Sequence, residues 1–297
     1  MSGFKKAERK SRRLKIAFDG VSGSGKTYSA LRLAFCLVKA GMASKVAVID
    51  TENDSASLYA GECPDGIDFD FDTMNLQNFG PQDFTHAMKA AFKEGYDCVV
   101  VDSLSHAWVG KGGALDLVDA KGGNSFTAWK DITPLQREMV DTIVHAPASV
   151  LCTMRSKVEY VIEEDAKGKK VPRKIGMAPV QRDGLEYEFD LYGSFDTNQI
   201  RVTKTRCSAM YAATTFKPGY PFWSPLFEWM QSGVPSDPSP QPEPPSEYAD
   251  LLGRLRICTK REEGFPLAKL GNDAFKAGRI NDRQRNELRE VFDRLPA

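Results

Sequence analysis

Residues 14–27 read LKIAFDGVSGSGKT, and this stretch decides the fold. Leu14 to Phe18 is a short apolar strand. Gly20, Gly25, Lys26 and Thr27 then match G-x-x-x-x-G-K-[ST], and Thr27 to Ala40 carries a helical pattern that stops at Gly41. A strand, a glycine-rich turn and a helix in that order make a phosphate cradle. The glycines let successive backbone N–H groups turn inward at a helix N-terminus, where the helix dipole favours an anion. The pattern assigns Gly20, Ser22, Gly23, Ser24, Gly25, Lys26, Thr27 and Tyr28 to a nucleotide, with Lys26 on the β- and γ-phosphates and the Thr27 hydroxyl on Mg²⁺. ATP and Mg²⁺ are the implied cofactors.

Outward from this loop, strands and helices alternate. Lys45–Asp50 (KVAVID), Cys98–Asp102 (CVVVD) and Ala148–Met154 are apolar strands, and Phe84, Met88, Ala91 and Phe92 recur at helical spacing before Gly95. Thr133, Pro134 and Gln136 read as an N-cap, a first-turn proline and an N3 glutamine that open a helix through Leu135, Met139 and Ile143. Continuous apolar strands between helices predict a mostly parallel sheet buried on both faces, an α/β class. After residue 155 the period changes. Val158, Tyr160 and Ile162 alternate, DAKGKK forms a polar turn, and Val171, Arg173 and Ile175 alternate again, which predicts a β-hairpin. Further strands fit Tyr187–Ser194 and Gln199–Thr205.

Residues 234–245, VPSDPSPQPEPP, suit an extended polyproline linker. The expected division is a basic tail over 1–13, a core over 14–232, a linker over 233–247 and a small helical domain over 248–297. In the last, Leu251, Leu252 and Leu255 form one stripe, and Leu288, Val291, Phe292 and Leu295 another after an Asn281 N-cap. It carries no catalytic residue and would dock on the core or on a partner protein.

Lys+Arg and Asp+Glu are 40 each in 297 residues, so bulk charge announces no polyanionic partner. No apolar run approaches the roughly 20 residues of a membrane helix, and the basic N-terminus lacks the apolar segment of a secretory signal. The six cysteines (36, 63, 98, 152, 207, 258) stand singly and His86, His106 and His145 lack metal-ligand spacing, as expected of a reduced, cytoplasmic protein without a zinc module.

Two carboxylates complete a candidate site. Asp102 ends an apolar strand, where it either helps hold Mg²⁺ or caps a turn. Glu52, in Asp50-Thr51-Glu52, lies at the C-terminal edge of a parallel strand, where ligands bind in open α/β sheets and where it could orient an attacking water. With a P-loop strand, a strand ending IDTE and an apolar strand ending Asp-Ser, the chain resembles the RecA-like ATPase core over roughly residues 10–230. Within it, IAFDGVSGSGKTYSALRLA is most similar to phage-encoded ATPases grouped with single-strand-annealing recombinases. The resemblance implies that Glu52 is the catalytic glutamate. It also implies that Lys204 and Arg206, in VTKTR, reach the γ-phosphate of a neighbouring subunit in a ring or filament; the alternative is a solvated strand-edge pair. Arg155 either senses the γ-phosphate or is a surface charge.

The same resemblance places single-stranded DNA against Ser103–Lys130, with Lys111, Lys121, Asn124 and Trp129, and against Ser156–Gln181, with Lys157, Tyr160, Lys167, Lys169, Lys170, Arg173 and Lys174. A solvated hairpin competes with this, because Glu159, Glu163, Glu164 and Asp165 nearly cancel those cations. The run Lys5, Lys6, Arg9, Lys10, Arg12, Arg13 and Lys15 either touches phosphates or a neighbour, or stays a solvated tail. The expected function is an Mg²⁺-dependent ATPase acting on single-stranded DNA in phage-type recombination or replication. The alternative is a nucleotide-switched adaptor or loader that works through the C-terminal helices. A small-molecule kinase has no acceptor-binding signature here.

Overall fold

The computed structural model describes residues 6–122, 125–164, 170–235, 247–258, 260–277, 279–280 and 282–296. After a short β1 (Lys10–Ser11), β2 (Lys15–Gly20) enters the phosphate loop and α1 (Lys26–Lys39) leaves it. Then come β3 (Val46–Asp50), β4 (Asp72–Asn75), α2 (Pro81–Lys93), β5 (Cys98–Asp102), α3 (His106–Val109), α4 (Ala114–Lys121) and α5 (Ser125–Val144). The second half holds β6 (Ser149–Glu164), β7 (Lys170–Pro179), β8 (Leu191–Asp196), β9 (Gln199–Thr205), β10 (Thr214–Phe216), α6 (Tyr220–Gln231) and β11 (Val234–Pro235). Three helices follow, α7 (Glu247–Ile257), α8 (Arg261–Lys276) and α9 (Asp282–Asp293).

The central sheet has the order β10-β9-β8-β2-β6-β5-β3-β4, with β7 paired to β6. Strands β8, β2, β6, β5, β3 and β4 run parallel, and β9 and β10 finish one side antiparallel. The crossover from β2 to β3 passes over the places that β6 and β5 fill. The C-terminal ends of β2, β6, β5 and β3 therefore stand side by side, where a crevice opens in doubly wound sheets. Alternation along each strand fills both faces. Ile16 and Phe18 of β2 pack with α1 and Trp223 of α6, whereas Ala17 packs with Phe84, Met88 and Met139 of α2 and α5. This is why the strands read as unbroken apolar runs.

The helix expected from Thr133 begins earlier. α5 starts at Ser125 and contains Pro134, because the apolar face continues upstream through Ala128 and Ile132, which bury with Leu135 against Ala114 and Val118 of α4. The strand expected from Tyr187 begins at Leu191, since Leu185–Glu188 turns as a 3₁₀ segment.

Part of the basic N-terminal run is bound into the fold. β1 pairs with β11, Arg12 makes an ion pair with buried Asp190, the Arg9 guanidinium lies 5.8 Å from the Trp229 ring, and Arg13 Nη1 donates to Met42 O. Lys5, Asn124, Lys167, Lys169, Asn281 and linker residues 236–246 lie outside the described residues. Helices α7–α9 share their own apolar cluster. At Gly253 of α7 a Cβ would sit 2.8 Å from Gln82 Nε2, so glycine there permits close packing on the core. No helix among the described residues is long and apolar enough to cross a membrane.

Lys15 is buried at the opposite end of β2 from the phosphate loop, and its Nζ donates to Ala146 O at 3.0 Å and Ala148 O at 2.6 Å. Burial, aided by Arg12 and Arg13, lowers its pKa to about 7. Between that value and the ordinary lysine value of about 10.4 the unfolded chain binds the extra proton, so stability rises with pH. Urea unfolding should show wild type gaining stability relative to Lys15→Met from pH 7 to pH 10, with parallel curves as the contrary result. Pro134 lies exposed within α5, where it removes one helical hydrogen bond. Pro134→Ala should raise stability by about 1 kcal/mol or more, visible as a higher melting temperature.

Candidate functional site

The phosphate loop is built by backbone shape and by a neighbouring turn. Gly25 holds φ 90° and lies against the Asn198 side chain. A Cβ at Gly20 would stand 2.5 Å from Phe195 O, so a side chain there would push β8 away. The turn between β8 and β9 braces the loop through Asn198 N, which donates to Ser24 O at 3.0 Å. Ser22 and Gly23 are exposed at the loop tip, and Ser24 is buried. Lys26 is nearly buried, and its Nζ donates to Val21 O at 2.7 Å and reaches Ser24 Oγ at 3.5 Å. Burial lowers its pKa, while Asp102, Glu52 and Asp19 pull it back up. Tyr28 faces away toward packing partners. Its hydroxyl meets Glu62 Oε2 at 3.3 Å and its ring lies 5.4 Å from that of Tyr59.

Asp102 is 2% exposed at the end of β5. One of its oxygens accepts from Thr153 Oγ1, whereas Oδ2 has no hydrogen-bond partner among the described residues. Burial pushes its pKa up, opposed by the Thr153 and Thr27 hydroxyls. A buried carboxylate oxygen left unpartnered beside a threonine hydroxyl is a hard-oxygen donor set, which fits Mg²⁺. No group of three or more His, Cys, Asp or Glu side chains suited to a metal occurs among the described residues. So few protein ligands agree with an ion that keeps most of its waters and leans on substrate phosphate.

Glu52 is held by two devices. Asp50 accepts from the backbone N–H groups of Glu52 at 2.6 Å, Asp54 at 3.1 Å and Ala56 at 3.1 Å, which folds the segment after β3 into a fixed turn. Arg155, at the same edge on β6, grips the Glu52 carboxylate with both Nε, at 2.9 Å, and Nη2. Two candidates of unrelated sequence position thus meet as a bidentate pair.

Lys204 and Arg206 do not join them. Both stand by the N-terminal end of β8, the sheet edge opposite the phosphate loop. Lys204 Nζ donates to Tyr187 O at 3.1 Å and to Phe189 O, and Arg206 Nη1 donates to Asp190 Oδ1 at 3.1 Å. Within one chain these contacts stitch β9 to the entry of β8.

The expected basic loop at Ser103–Lys130 is instead largely helical, as α3, α4 and the start of α5, because these helices bury an apolar cluster of their own. Trp129 stacks on Trp108 at 5.4 Å and Lys121 Nζ bonds Asp131 at 3.2 Å, so neither presents a free stacking or charged group. The second expected segment does form a hairpin, with Ser156–Glu164 of β6 antiparallel to Lys170–Pro179 of β7, and Lys157 is exposed.

Sequence reading missed four residues here. Asp19, just before Gly20, is 3% exposed and accepts from Ser156 Oγ at 2.7 Å, with no hydrogen-bond partner for its other oxygen among the described residues. Thr153 serves Asp102, Asn198 braces the loop, and His106 Nδ1 lies 2.7 Å from Thr51 Oγ1. A carboxylate against the first loop glycine and a threonine inside an apolar strand were visible signals; a single histidine on a short helix was not.

Replacing Asp102 by Asn removes a buried charge that is only half satisfied. Asp102→Asn should therefore melt at a higher temperature than wild type in nucleotide-free buffer, and an unchanged or lower melting point would mean the carboxylate is compensated.

A family model described as an AAA domain matches residues 12–216, more than half of the chain. A search of curated proteins found no match.

Proposed function

The chain belongs to the AAA domain family, whose members are ATPase-type P-loop domains, and from that premise we propose that it is an Mg²⁺-dependent ATPase that acts on single-stranded DNA in recombination or replication of the phage type. One observation carries the ATPase reading: Lys26 and Thr27, Asp102 with its unpartnered oxygen, and Glu52 in the grip of Arg155 converge at one edge of the sheet although they stand up to 129 residues apart.

The roles follow from the geometry. Lys26 exchanges its contacts with Val21 O and Ser24 Oγ for phosphate oxygens. Thr27 and Asp102 would hold Mg²⁺, which supplies charge neutralisation on the phosphates. Glu52 orients water and takes its proton, and the guanidinium of Arg155 fixes the direction of that carboxylate. Phosphoryl transfer is mostly positioning and electrostatics, so this set suffices for hydrolysis. It assigns no step to Lys204 or Arg206, which are engaged by their own chain.

The DNA part of the reading is supported by β6. The strand that carries Arg155 continues without a break into the hairpin, whose base bears exposed Lys157. Self-association is supported by exposed apolar side chains near this edge, Leu58 at 82% and Phe216 at 66%.

Steady-state ATP hydrolysis with Mg²⁺, with and without single-stranded DNA, tests the proposal. Lys26→Ala should lose binding or turnover. Glu52→Gln should keep nucleotide binding and lose turnover by about 10²- to 10⁴-fold. DNA should stimulate wild type at low salt and less at moderate salt. Hydrolysis indifferent to DNA would favour the adaptor reading, and a Glu52→Gln protein of normal rate would remove Glu52 from the chemistry.

A further inference from the structure

Thr51 precedes Glu52 in the chain, and Ser103 follows Asp102. The two meet through one hydroxyl. Thr51 Oγ1 accepts from Ser103 N at 2.8 Å and lies 3.2 Å from Ser103 O, while Thr51 N donates to Asp102 O at 2.7 Å. The third partner of that hydroxyl is His106, with Nδ1 at 2.7 Å. This contact is shorter than the one to Ser103 O, so the imidazole is the stronger of the two competing partners.

The ring itself is clamped. Phe79, from the segment before α2, stacks on it at 5.1 Å and 29°, and the first turn of α3 closes behind it with Gly110 N donating to His106 O at 2.8 Å. The charged and titratable groups around it are Asp50 from the end of β3, Glu52 from the turn after it and Arg155 from β6. Burial lowers the His106 pKa, Arg155 lowers it further, and Glu52 and Asp50 oppose. The neutral ring, able to share a proton with a hydroxyl in either direction, is the form this setting favours.

We propose that His106 is a positioning residue of the hydrolytic site: through the Thr51 hydroxyl it fixes the turn that aims Glu52, relative to the strand end that carries Asp102. The inference rests on the ATPase reading and adds a residue to it. Thr51 and Glu52 share a peptide unit, so a hydroxyl that loses its partner lets the Glu52 backbone drift. The groups that bind phosphate, Lys26 and the loop before it, lie between the end of β2 and the head of α1, and no hydrogen bond or ring contact joins them to His106 among the described residues. Turnover should therefore fall while nucleotide affinity holds.

His106→Phe keeps the ring and the stack on Phe79 but has no nitrogen, whereas His106→Asn offers an amide near the Nδ1 position. The measurement is kcat for ATP beside equilibrium binding of ATP in the Glu52→Gln background and a thermal melt of each variant. His106→Phe should lower kcat roughly tenfold to a hundredfold, the scale of a misplacement of about 1 Å at a reacting group, with ATP affinity unchanged. His106→Asn should restore most of the rate. Thr51→Val should match His106→Phe, and the double variant should be no slower than either single one, because both break the same link.

Wild-type kcat in His106→Phe overturns the inference, as do multiplicative losses in the double variant. Affinity falling in step with kcat, or His106→Asn as inactive as His106→Phe, would make His106 a packing residue and overturn it as well. A wild-type protein that hydrolyses no ATP would instead remove the ATPase reading itself, so the two failures are distinguishable.

Discussion

Three carboxylates crowd one sheet edge, and a single strand keeps them in place. β6 presents Thr153 to Asp102, Arg155 to Glu52 and Ser156 to Asp19, within four consecutive residues. Anions gathered in a partly buried space repel one another and lose hydration, so each needs its own donor if the edge is to keep its shape. Pleating explains how one strand can do this. Thr153 shares the α1 face with Asp102, Ser156 shares the α2 and α5 face with Asp19, and Arg155, at the point where the strand leaves the sheet, reaches across to the turn after β3. The central place of β6 between β2 and β5 is what brings all three acids within range.

The donors are incomplete by design of the fold. Among the described residues, Asp102 and Asp19 each keep one buried oxygen without a hydrogen-bond partner, and the Lys26 ammonium leans on its own loop. An apolar or fully paired edge would be more stable. Native proteins keep such deficits where something else completes the set, and here Asp102, with one oxygen unsatisfied, lies near the Thr27 hydroxyl at the head of α1. The opposite edge shows the contrast. Asp190, buried at the entry to β8, accepts from Arg12, Arg206 and the Lys15 amide and is saturated by its own chain. Clusters of charge at the two ends of one sheet thus differ in kind: one is closed, the other is open to a ligand.

Much of the parallel sheet was legible because its code is local. LKIAFDGVSGSGKT, KVAVID and CVVVD each state strand, turn and edge residue within a few positions, and alternation in VEYVI and VPRKI marks the hairpin. What local patterns cannot state is partnership. Nothing in the spacing joins Glu52 to Arg155 or Thr51 to His106, because those pairs depend on strand order. Pro134 misled for a related reason. Its first-turn preference is a tendency of isolated termini, and burial of Ala128 and Ile132 outweighs the lost hydrogen bond. The family resemblance placed a nucleic-acid loop around Trp129 and the neighbouring lysines, yet Trp108, distant by 21 positions, stacks on that ring.

The matched family region ends at residue 216, but the physical core does not. Trp223, Leu226, Phe227 and Met230 of α6 belong to the same apolar cluster as Phe18, Leu31 and Ile200, and Trp223 is fully buried beside Phe18. Removing α6 would expose the face of β2 from which the phosphate loop springs. β11 then pairs with β1, so the chain returns to its own start before it departs. Beyond that point the apolar contacts of α7, α8 and α9 close largely on one another. The apolar core thus runs on through α6, past the end of the family signal, and the stability of the phosphate loop depends on a helix that the signal does not include.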